Sequence, residues 1–187
     1  MPLGGWHARC SGDDPRMLTA KTAKESLTCT TEHVLPNDTN ALGNLYGGRL
    51  LQWMDTAAAI AAHRHCRRVV VTATVNHVSF KAPIKLGSIV TLESKVSRAF
   101  STSMEVVIEV FVEDPTTGAR RECNEAILTF VAIDQNGAPV PVPELIPETE
   151  QEKRRFAAAL RRKELSLILA GKLKPDDATE LKALLAA

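Results

Sequence analysis

Asn40, Gly47-Gly48 and Asp55 are groups that can act together on a carbonyl, and all lie on one short segment. Asn40 offers a side-chain amide, the glycines directly precede a predicted helix, and Asp55 lies on that helix. Asp55 is also the only charged residue among residues 50–62, which are otherwise almost wholly apolar. A lone carboxylate on so apolar a helix is costly to bury unless it is paired or used.

The chemistry that this set indicates is attack on an activated carbonyl such as a thioester. Donors must hold the oxyanion that develops, and a base must take a proton from water unless the carboxylate attacks directly. Free N–H groups at a helix start supply donors, and glycine lets a substrate approach that backbone closely. Gly47 and Gly48 suit this role, while Asn40 could donate to the same oxygen or position the water.

The spacing separates Asp55 from the helix start. At 1.5 Å per residue, Asp55 lies roughly 10–12 Å along the axis from Gly47 or Gly48. One helix therefore cannot place its own N-terminus and its own Asp55 on one carbonyl. If both act, the simplest geometry takes them from two protomers across a dimer interface.

Each of these residues also has a structural explanation. A Gly-Gly pair before a helix is most often a turn, and Asn40 is well suited to an Asx-turn. Asp55 could cap a loop or pair with Arg49, His63 or Arg64. The pattern taken alone therefore indicates no more than a hydrolase.

Composition excludes several classes of partner and cofactor. The 187 residues suit one domain of about 100–150 residues with appendages, and a formal net charge of +1 gives no basis for steering to nucleic acid or membrane. The four cysteines form no CxxC pair, and His63 and His65 point to different faces of a helix, so we expect no metal site. Without a signal-peptide pattern or roughly 18 consecutive apolar residues, we expect a cytoplasmic protein.

Hydrophobic periodicity predicts one strand, one buried helix, four more strands and a helical tail. The predicted elements are a strand at 26–35, a helix at about 48–65, strands at 69–81, 88–98, 103–113 and 120–134, and tail helices after Thr149 and at about 176–186. A change of phase predicts a bulge near Asn76-His77, and Thr149 is a candidate N-cap. One helix on one curved antiparallel sheet is an α+β arrangement that covers the helix on one side only. We therefore expect at least a homodimer.

The segment LPNDTNALGNLYGGRLLQWMDTAAAIAAHRHC (35–66) resembles the signature of hotdog-fold acyl-CoA thioesterases, in the subgroup of the YciA-like enzymes and brain acyl-CoA hydrolase. Further matches are VSFKAPIKLGSIV (78–90) and GARRECNEAILTFVAID (118–134), and the resemblance covers about residues 26–145. The family pattern, P-x-D-x-N-x-x-G-x-x-x-G-G and then Met-Asp, falls on Pro36, Asp38, Asn40, Gly43, Gly47, Gly48, Met54 and Asp55.

The resemblance implies a hotdog fold, with a long buried helix wrapped by a curved antiparallel sheet. We divide the chain into a flexible N-terminal extension (1–25), a hotdog thioesterase domain (26–147) and a C-terminal helical tail (148–187). The implied reaction is hydrolysis of acyl-CoA to free acid and CoA, without metal or cofactor, in a trimer of dimers.

The resemblance also implies roles for single residues. Asn40 is the polarising or water-orienting amide, Gly47 and Gly48 are the helix-start donors, and Asp55 of the opposite protomer is the general base or nucleophile. Residues that match positions near CoA in the family are Ser79, Phe80, Lys81, Pro83, Ser101, Thr102 and Ser103. Many relatives have a basic residue where this chain has Ser101, and Arg98, Arg120 and Arg121 are candidates to replace its phosphate contact.

Two other functions compete with the thioesterase. Hotdog domains also serve as non-catalytic acyl-CoA sensors, but the intact pair of Asn40 and Asp55 argues against that class. Hotdog dehydratases use an Asp/His pair in different surroundings, and this sequence has no such motif.

Overall fold

A five-stranded antiparallel sheet curls around one long helix in the computed structural model, which describes residues 18–80 and 82–185. The elements are β1 (Lys21–Thr22), β2 (Thr28–His33), α1 (Gly47–Cys66), β3 (Val69–Phe80), β4 (Ile89–Ala99), β5 (Ser103–Glu113), β6 (Arg120–Ile133), β7 (Leu145–Ile146), α2 (Glu150–Leu169) and α3 (Thr179–Leu185). The order of the main sheet is β2-β4-β5-β6-β3, and β1 and β7 form a separate parallel pair. The predicted α+β hotdog architecture is confirmed.

The register of β3 on β6 contains the predicted irregularity. The pairing shifts between Val75 and His77, and it shifts a second time between Thr72 and Thr74. A bulge of this kind changes which side chains face the core and increases the local twist. The predicted bulge near Asn76-His77 is thus confirmed, and the second shift sets the direction of the Thr72 side chain beside α1.

The core lies between one face of α1 and the concave side of the sheet. Met54, Ala57, Ala58 and Ala61 are fully buried at helical spacing, opposite alternating apolar residues of the strands. The small alanines let the helix backbone lie close to the sheet. The other face of α1 is open in one protomer, and Ile60 on it is exposed. The apolar sequence of α1 therefore exceeds what one sheet can cover.

The described part of the N-terminal extension packs against the domain. After β1, residues Ala23–Ser26 form a short 3-10 turn in which Ala23 and Ser26 are buried. The Ser26 hydroxyl donates to Ala23 O (2.7 Å) and accepts from Val96 N (3.0 Å). Lys21 Nζ donates to His65 O at the end of α1 (2.6 Å). Residues 21–25 thus lie against β4 and α1, and residues 1–17 lie outside the described residues.

Helix α2 covers the convex side of the sheet. Thr149 caps its start as predicted, because its hydroxyl accepts from Glu152 N while the Glu152 carboxylate accepts from Thr149 N. Arg162 and Arg155 then reach glutamates of β5. The last helix begins later than predicted, at Thr179, after a 3-10 turn at Pro175–Asp177. No helix among residues 18–80 and 82–185 combines the length and apolarity that a membrane span needs.

Candidate active site

The loop before α1 is fastened to the helix by Asp38. This carboxylate is buried, accepts from Arg49 Nε (2.8 Å) through one oxygen and from Leu35 N (3.1 Å) through the other. Tyr46 N also donates to Asp38 O (2.9 Å). Asp38 therefore sets where residues 39–46 run relative to the helix start. Asp38 also forms an ion pair with Arg49, which is one of the three predicted basic partners of Asp55.

Asn40 is held by its carbonyl oxygen and presents its amide nitrogen. Oδ1 accepts from Leu42 N (3.0 Å) and Asn44 N (3.2 Å), as in an Asx-type turn. With the oxygen fixed in this way, Nδ2 points away from the loop backbone and has no acceptor among the described residues. The structural and the chemical interpretation of Asn40 are therefore compatible, since one end of the amide builds the loop and the other can donate.

The first N–H groups of α1 are likewise available as donors. Tyr46 is the N-cap but accepts no bond with its side chain, and its carbonyl receives the N–H groups of Arg49 and Leu50. The N–H groups of Gly47 and Gly48 have no acceptor among the described residues. A Cβ on Gly48 would meet nothing within 4 Å, whereas one on Gly47 would lie 3.4 Å from the Phe80 ring. A ligand can thus approach the backbone at Gly48 closely.

One cavity joins two of the predicted donors, Asn40 and Gly47, to part of the predicted CoA site. It has a volume of about 320 Å³ and is lined by Asn40, Gly47, Phe80 and Pro83 among others. Its other lining residues are Asn44, Leu45, Leu50, Ala82, Ile84 and Asn124. Leu45, Leu50 and Ile84 are buried apolar side chains, so the cavity is polar where the donors lie and apolar behind them.

Asp55 lies outside this cavity, with a partner that the sequence did not indicate. The Thr72 hydroxyl donates to Asp55 Oδ1 (2.7 Å), and the carboxylate is half-buried. None of the three expected basic partners reaches Asp55: Arg64 bonds to Leu27 O and His63 Nδ1 contacts Arg68 O. A threonine 17 residues downstream in a strand carries no sequence signal, because threonine is common in strands.

The predicted CoA contacts fall at two ends of the sheet within one protomer. Phe80 pairs with Asn124 at one end, with Ser79 beside it and Pro83 just beyond, whereas Ser103 pairs with Val131 at the other end. The turn Ser101-Thr102-Ser103 therefore lies far from the cavity in the same chain. Lys81 lies outside the described residues.

Arg98 is engaged by the tail helix. Its guanidinium lies 4.0 Å from the centre of the Phe156 ring, and Nη1 donates to Phe156 O (2.9 Å). Burial lowers the pKa of Arg98 from its ordinary value. In one protomer this residue thus anchors α2 rather than facing the cavity.

A basic cavity adjoins the first one at Pro83. It has a volume of about 580 Å³ and includes Lys85, Arg120 and Arg121 in its lining. Arg120 is paired with Glu93 (2.6 Å), whereas Lys85 and Arg121 have no carboxylate partner among the described residues. Arg121 Nη2 lies 3.4 Å from Pro83 O, which places its charge at the junction of the two cavities.

Comparison with known proteins agrees with this architecture. Residues 42–119 match the thioesterase superfamily. The chain is 45% identical over 139 residues to the uncharacterized acyl-CoA thioester hydrolase YkhA of Bacillus subtilis (strain 168), covering 74% of this chain and 81% of that protein. The chain belongs to the thioesterase superfamily. The predicted family is thereby confirmed.

Solved structures extend the likeness over most of the chain. An apo-hexameric acyl-CoA thioesterase superposes with a TM-score of 0.78 at 40% identity, over 81% of this chain and 97% of that one. The acyl-CoA hydrolase from Staphylococcus aureus, in complex with butyryl coenzyme A, coenzyme A and coenzyme A disulfide, gives a TM-score of 0.76 at 33% identity, over 90% of this chain and 99% of that one.

Three structures of the S. aureus hydrolase are of single alanine mutants, in place of an asparagine, an aspartate and a threonine. In that protein the aspartate follows the asparagine by 15 positions, and the threonine follows the aspartate by 17. Asn40, Asp55 and Thr72 have the same two separations, since 55 − 40 = 15 and 72 − 55 = 17.

Proposed function

We propose that this protein hydrolyses acyl-CoA thioesters to a free carboxylic acid and CoA, in an active site shared by two protomers. One protomer supplies the oxyanion donors Asn40, Gly47 and Gly48, and its partner supplies Asp55. The observation that carries this proposal is the separation of these groups within one chain. Asn40 and Gly47 line one cavity, with Gly48 next to them at the start of α1, whereas Asp55 lies outside that cavity.

The donors suit the carbonyl oxygen of a thioester. Attack on the carbonyl carbon places a negative charge on that oxygen, and fixed donors that need no reorganisation stabilise it. The N–H groups of Gly47 and Gly48 and Asn40 Nδ2 are all without protein acceptors among the described residues. Their common position at the start of α1 adds the positive end of the helix dipole.

The open edge of the sheet suits the partner that would bring Asp55. Strand β3 is an end strand, and Val69, Val71 and Val75 on it are exposed. Asp55 bonds to Thr72 of that same strand, so it lies on the β3 side of α1. A second copy that pairs at the β3 edge covers the exposed valines and brings its own loop and helix start toward this carboxylate.

Asp55 can act by either of two routes that balance. As a base, its carboxylate takes a proton from water, the hydroxide adds to the carbonyl carbon, and the C–S bond breaks to release CoA thiolate, which regains the proton. As a nucleophile, a carboxylate oxygen adds to the carbonyl carbon, CoA thiolate leaves, and water then hydrolyses the mixed anhydride. In both routes Thr72 holds Oδ1 and leaves Oδ2 for the reaction.

The CoA moiety would extend from the first cavity into the basic one. Pro83 lines both cavities, and Lys85 and Arg121 supply positive charge for the phosphates. Phe80 lines the first cavity and Ser79 precedes it on β3, whereas Ser101, Thr102, Ser103 and Arg98 could contribute only from another protomer. The hexameric relative supports a trimer of dimers as the assembly in which such contacts form.

The test is release of free thiol from a panel of acyl-CoAs of increasing chain length, which includes butyryl-CoA. We expect turnover by the wild type and a loss of about 100-fold or more in kcat for Asp55→Asn, the range that a general base contributes. Asp134→Asn makes the same change in a remote turn where the carboxylate accepts two backbone N–H groups, and its rate should match wild type.

The reaction should also proceed at an unchanged rate in excess EDTA, because no metal takes part. Binding of acyl-CoA without turnover on any chain length would leave the protein as an acyl-CoA sensor. Full activity of Asp55→Asn would remove Asp55 from the reaction.

A further inference from the structure

Asn124 is a buried amide that makes none of its side-chain hydrogen bonds. It lies on β6, is 1% exposed, and neither Oδ1 nor Nδ2 has a partner among the described residues. Each buried polar group without a partner carries a free-energy cost, so such groups are rare in folded proteins. An amide with both ends unpaired therefore calls for an explanation outside the fold.

The position of Asn124 places it in the cavity that holds the proposed oxyanion donors. It lines this cavity together with Asn40 and Gly47. Across the sheet it pairs directly with Phe80 on β3, and directly paired residues of antiparallel strands place their side chains on the same face. Phe80 in turn lies against Gly47. Asn124 is thus on the α1 side of the sheet, level with the start of the helix.

Other unpaired polar atoms do not share this position. The remaining buried atoms without partners among the described residues are His65 Nδ1, Ser94 Oγ and Arg98 Nε. None of these residues lines the cavity, and His65 and Arg98 make hydrogen bonds through other atoms. Among residues 18–80 and 82–185, Asn124 alone has a side-chain amide that is buried and wholly unpaired and also lines the cavity.

The part of the substrate that would meet Asn124 is the acyl group. The thioester carbonyl lies at Asn40 and the glycines, and the charged nucleotide of CoA must remain toward solvent and the basic cavity. The buried side chains of the cavity wall are those of Leu45, Leu50, Ile84 and Asn124. An acyl group that extends beyond the carbonyl into the cavity therefore meets Asn124 as the buried polar side chain of this wall. A plain alkyl chain there would bury the amide unpaired, which a site normally penalises.

We propose that Asn124 is a specificity residue, and that the enzyme prefers short acyl groups with a hydroxyl on the second or third carbon. A hydroxyl both donates and accepts, so it can satisfy Oδ1 and Nδ2 of the one amide. This inference rests on the proposed function, because the acyl group is placed by the thioester site.

The test compares kcat/KM for butyryl-CoA with kcat/KM for 2-hydroxybutyryl-CoA and 3-hydroxybutyryl-CoA. For wild type we expect at least one hydroxylated substrate to be preferred about tenfold or more. Asn124→Leu keeps the number and branching of the side-chain atoms, and it should reverse that preference by raising the rate on butyryl-CoA. Asn124→Ser keeps a hydroxyl and should retain a preference for the hydroxylated substrate.

Thermal unfolding separates this role from a structural one. Asn124→Leu removes an unpaired buried amide, so its Tm should equal or exceed that of wild type. A lower Tm together with an equal loss of rate on all three substrates would show that Asn124 supports the fold. Equal wild-type rates on the three substrates would overturn the preference while leaving the hydrolase intact, and no turnover of any would overturn both.

Discussion

Glu105 and Asn124 are buried polar side chains of the same sheet, and they differ in how many of their hydrogen bonds are made. Glu105 lies on β5 beneath α2, and its carboxylate accepts from Arg162 Nη2 (2.6 Å), Arg162 Nε (2.9 Å) and the Ser97 hydroxyl (2.7 Å). Asn124 lies on β6 near the start of α1 and makes no side-chain bond within the described residues. The convex side of the sheet is thus saturated at this point, while the concave side is not.

We interpret this difference in hydrogen bonding as a difference in role. Polar residues whose bonds are all made within the protein stabilise the fold, whereas polar residues with unpaired groups at a cavity can bind a ligand. Under α2 the carboxylate of Glu105 is paired with Arg162, and Glu109 repeats the pattern with Arg155 (2.6 Å). At the start of α1, three residues with unpaired groups line one cavity among the described residues: Asn40 with Nδ2, Gly47 with its backbone N–H, and Asn124 with both ends of its amide. The residues under α2 would have to break protein contacts to bind a substrate. The residues at the cavity would not.

The largest expected effect is a loss of activity at the unpaired groups near the start of α1. Asn40→Asp keeps Oδ1, which accepts from Leu42 N and Asn44 N, and removes the donor Nδ2. We expect kcat to fall by about 100- to 1000-fold, as for the loss of one oxyanion donor, with little change in Tm. Asn37→Asp adds the same charge to the same loop and serves as the control. Activity of Asn40→Asp within threefold of wild type would show that Nδ2 is not a catalytic donor.

At Glu105, beneath α2, we expect the opposite result: a loss of stability without a loss of activity. Glu105→Gln breaks a buried ion pair, and because Arg162 is partly exposed we expect a loss of about 2–3 kcal/mol in the free energy of unfolding. The value of kcat/KM at 25 °C should not change. Glu109→Gln, at a more exposed pair, should cost less than about 1 kcal/mol in urea unfolding. If the two variants had the same free energy of unfolding, burial would not explain the contribution of the Glu105–Arg162 pair to stability.

Asp55 is intermediate between the two cases, because Oδ1 accepts a hydrogen bond and Oδ2 has no donor among the described residues. Thr72→Val keeps the shape of the side chain and removes the hydroxyl that donates to Oδ1. We expect kcat to fall about tenfold, the effect of one hydrogen bond to a charged group. Thr74→Val, on the same strand, is the matched control and should leave steady-state kinetics unchanged. A rate equal to that of wild type would mean that Asp55 is positioned by other contacts.

His65 gives the smallest expected effect and shows that an unpaired atom alone does not mark a site. Its Nε2 lies 2.9 Å from Pro143 O, while Nδ1 is buried without a partner. Burial lowers the pKa of His65, so below about pH 6.5 the unfolded chain takes up a proton that the folded chain does not. Stability should therefore fall as pH decreases from 7 to 5.5, by no more than about 1 kcal/mol.

His65→Gln should flatten this pH dependence in urea titrations at the two pH values. An unchanged slope would assign the dependence to other groups.

Much of the fold follows from local sequence patterns, because strand alternation and helix caps are local. Strand β5 has the predicted ends, and the Thr149 N-cap is confirmed. For α1 the sequence predicts less: an apolar helix is expected to be buried, but its sequence does not tell how much of that burial one protomer supplies. Ile60 is exposed because the sheet covers only one face.

The site was accessible to sequence reasoning only in part. The family pattern contains Asn40 and Asp55, but which end of the Asn40 amide is free depends on the bonds of residues 42 and 44. Thr72 meets Asp55 only through the pairing and bulges of β3, and Asn124 is buried only because β6 is a central strand. The contact between Thr72 and Asp55 and the burial of Asn124 both depend on how distant strands pair. The spacing of residues within one segment does not predict that pairing.

Whether two chains share one active site is tested most directly by mixing two inactive variants. Asn40→Ala and Asp55→Ala protomers are purified separately, denatured together and refolded, and native mass spectrometry of differently tagged chains verifies mixed oligomers. A mixed dimer contains one site with both residues intact, so we predict that about a quarter of all sites, and of the wild-type rate, is recovered after random mixing. No recovery in verified mixed oligomers would contradict a site built from two protomers.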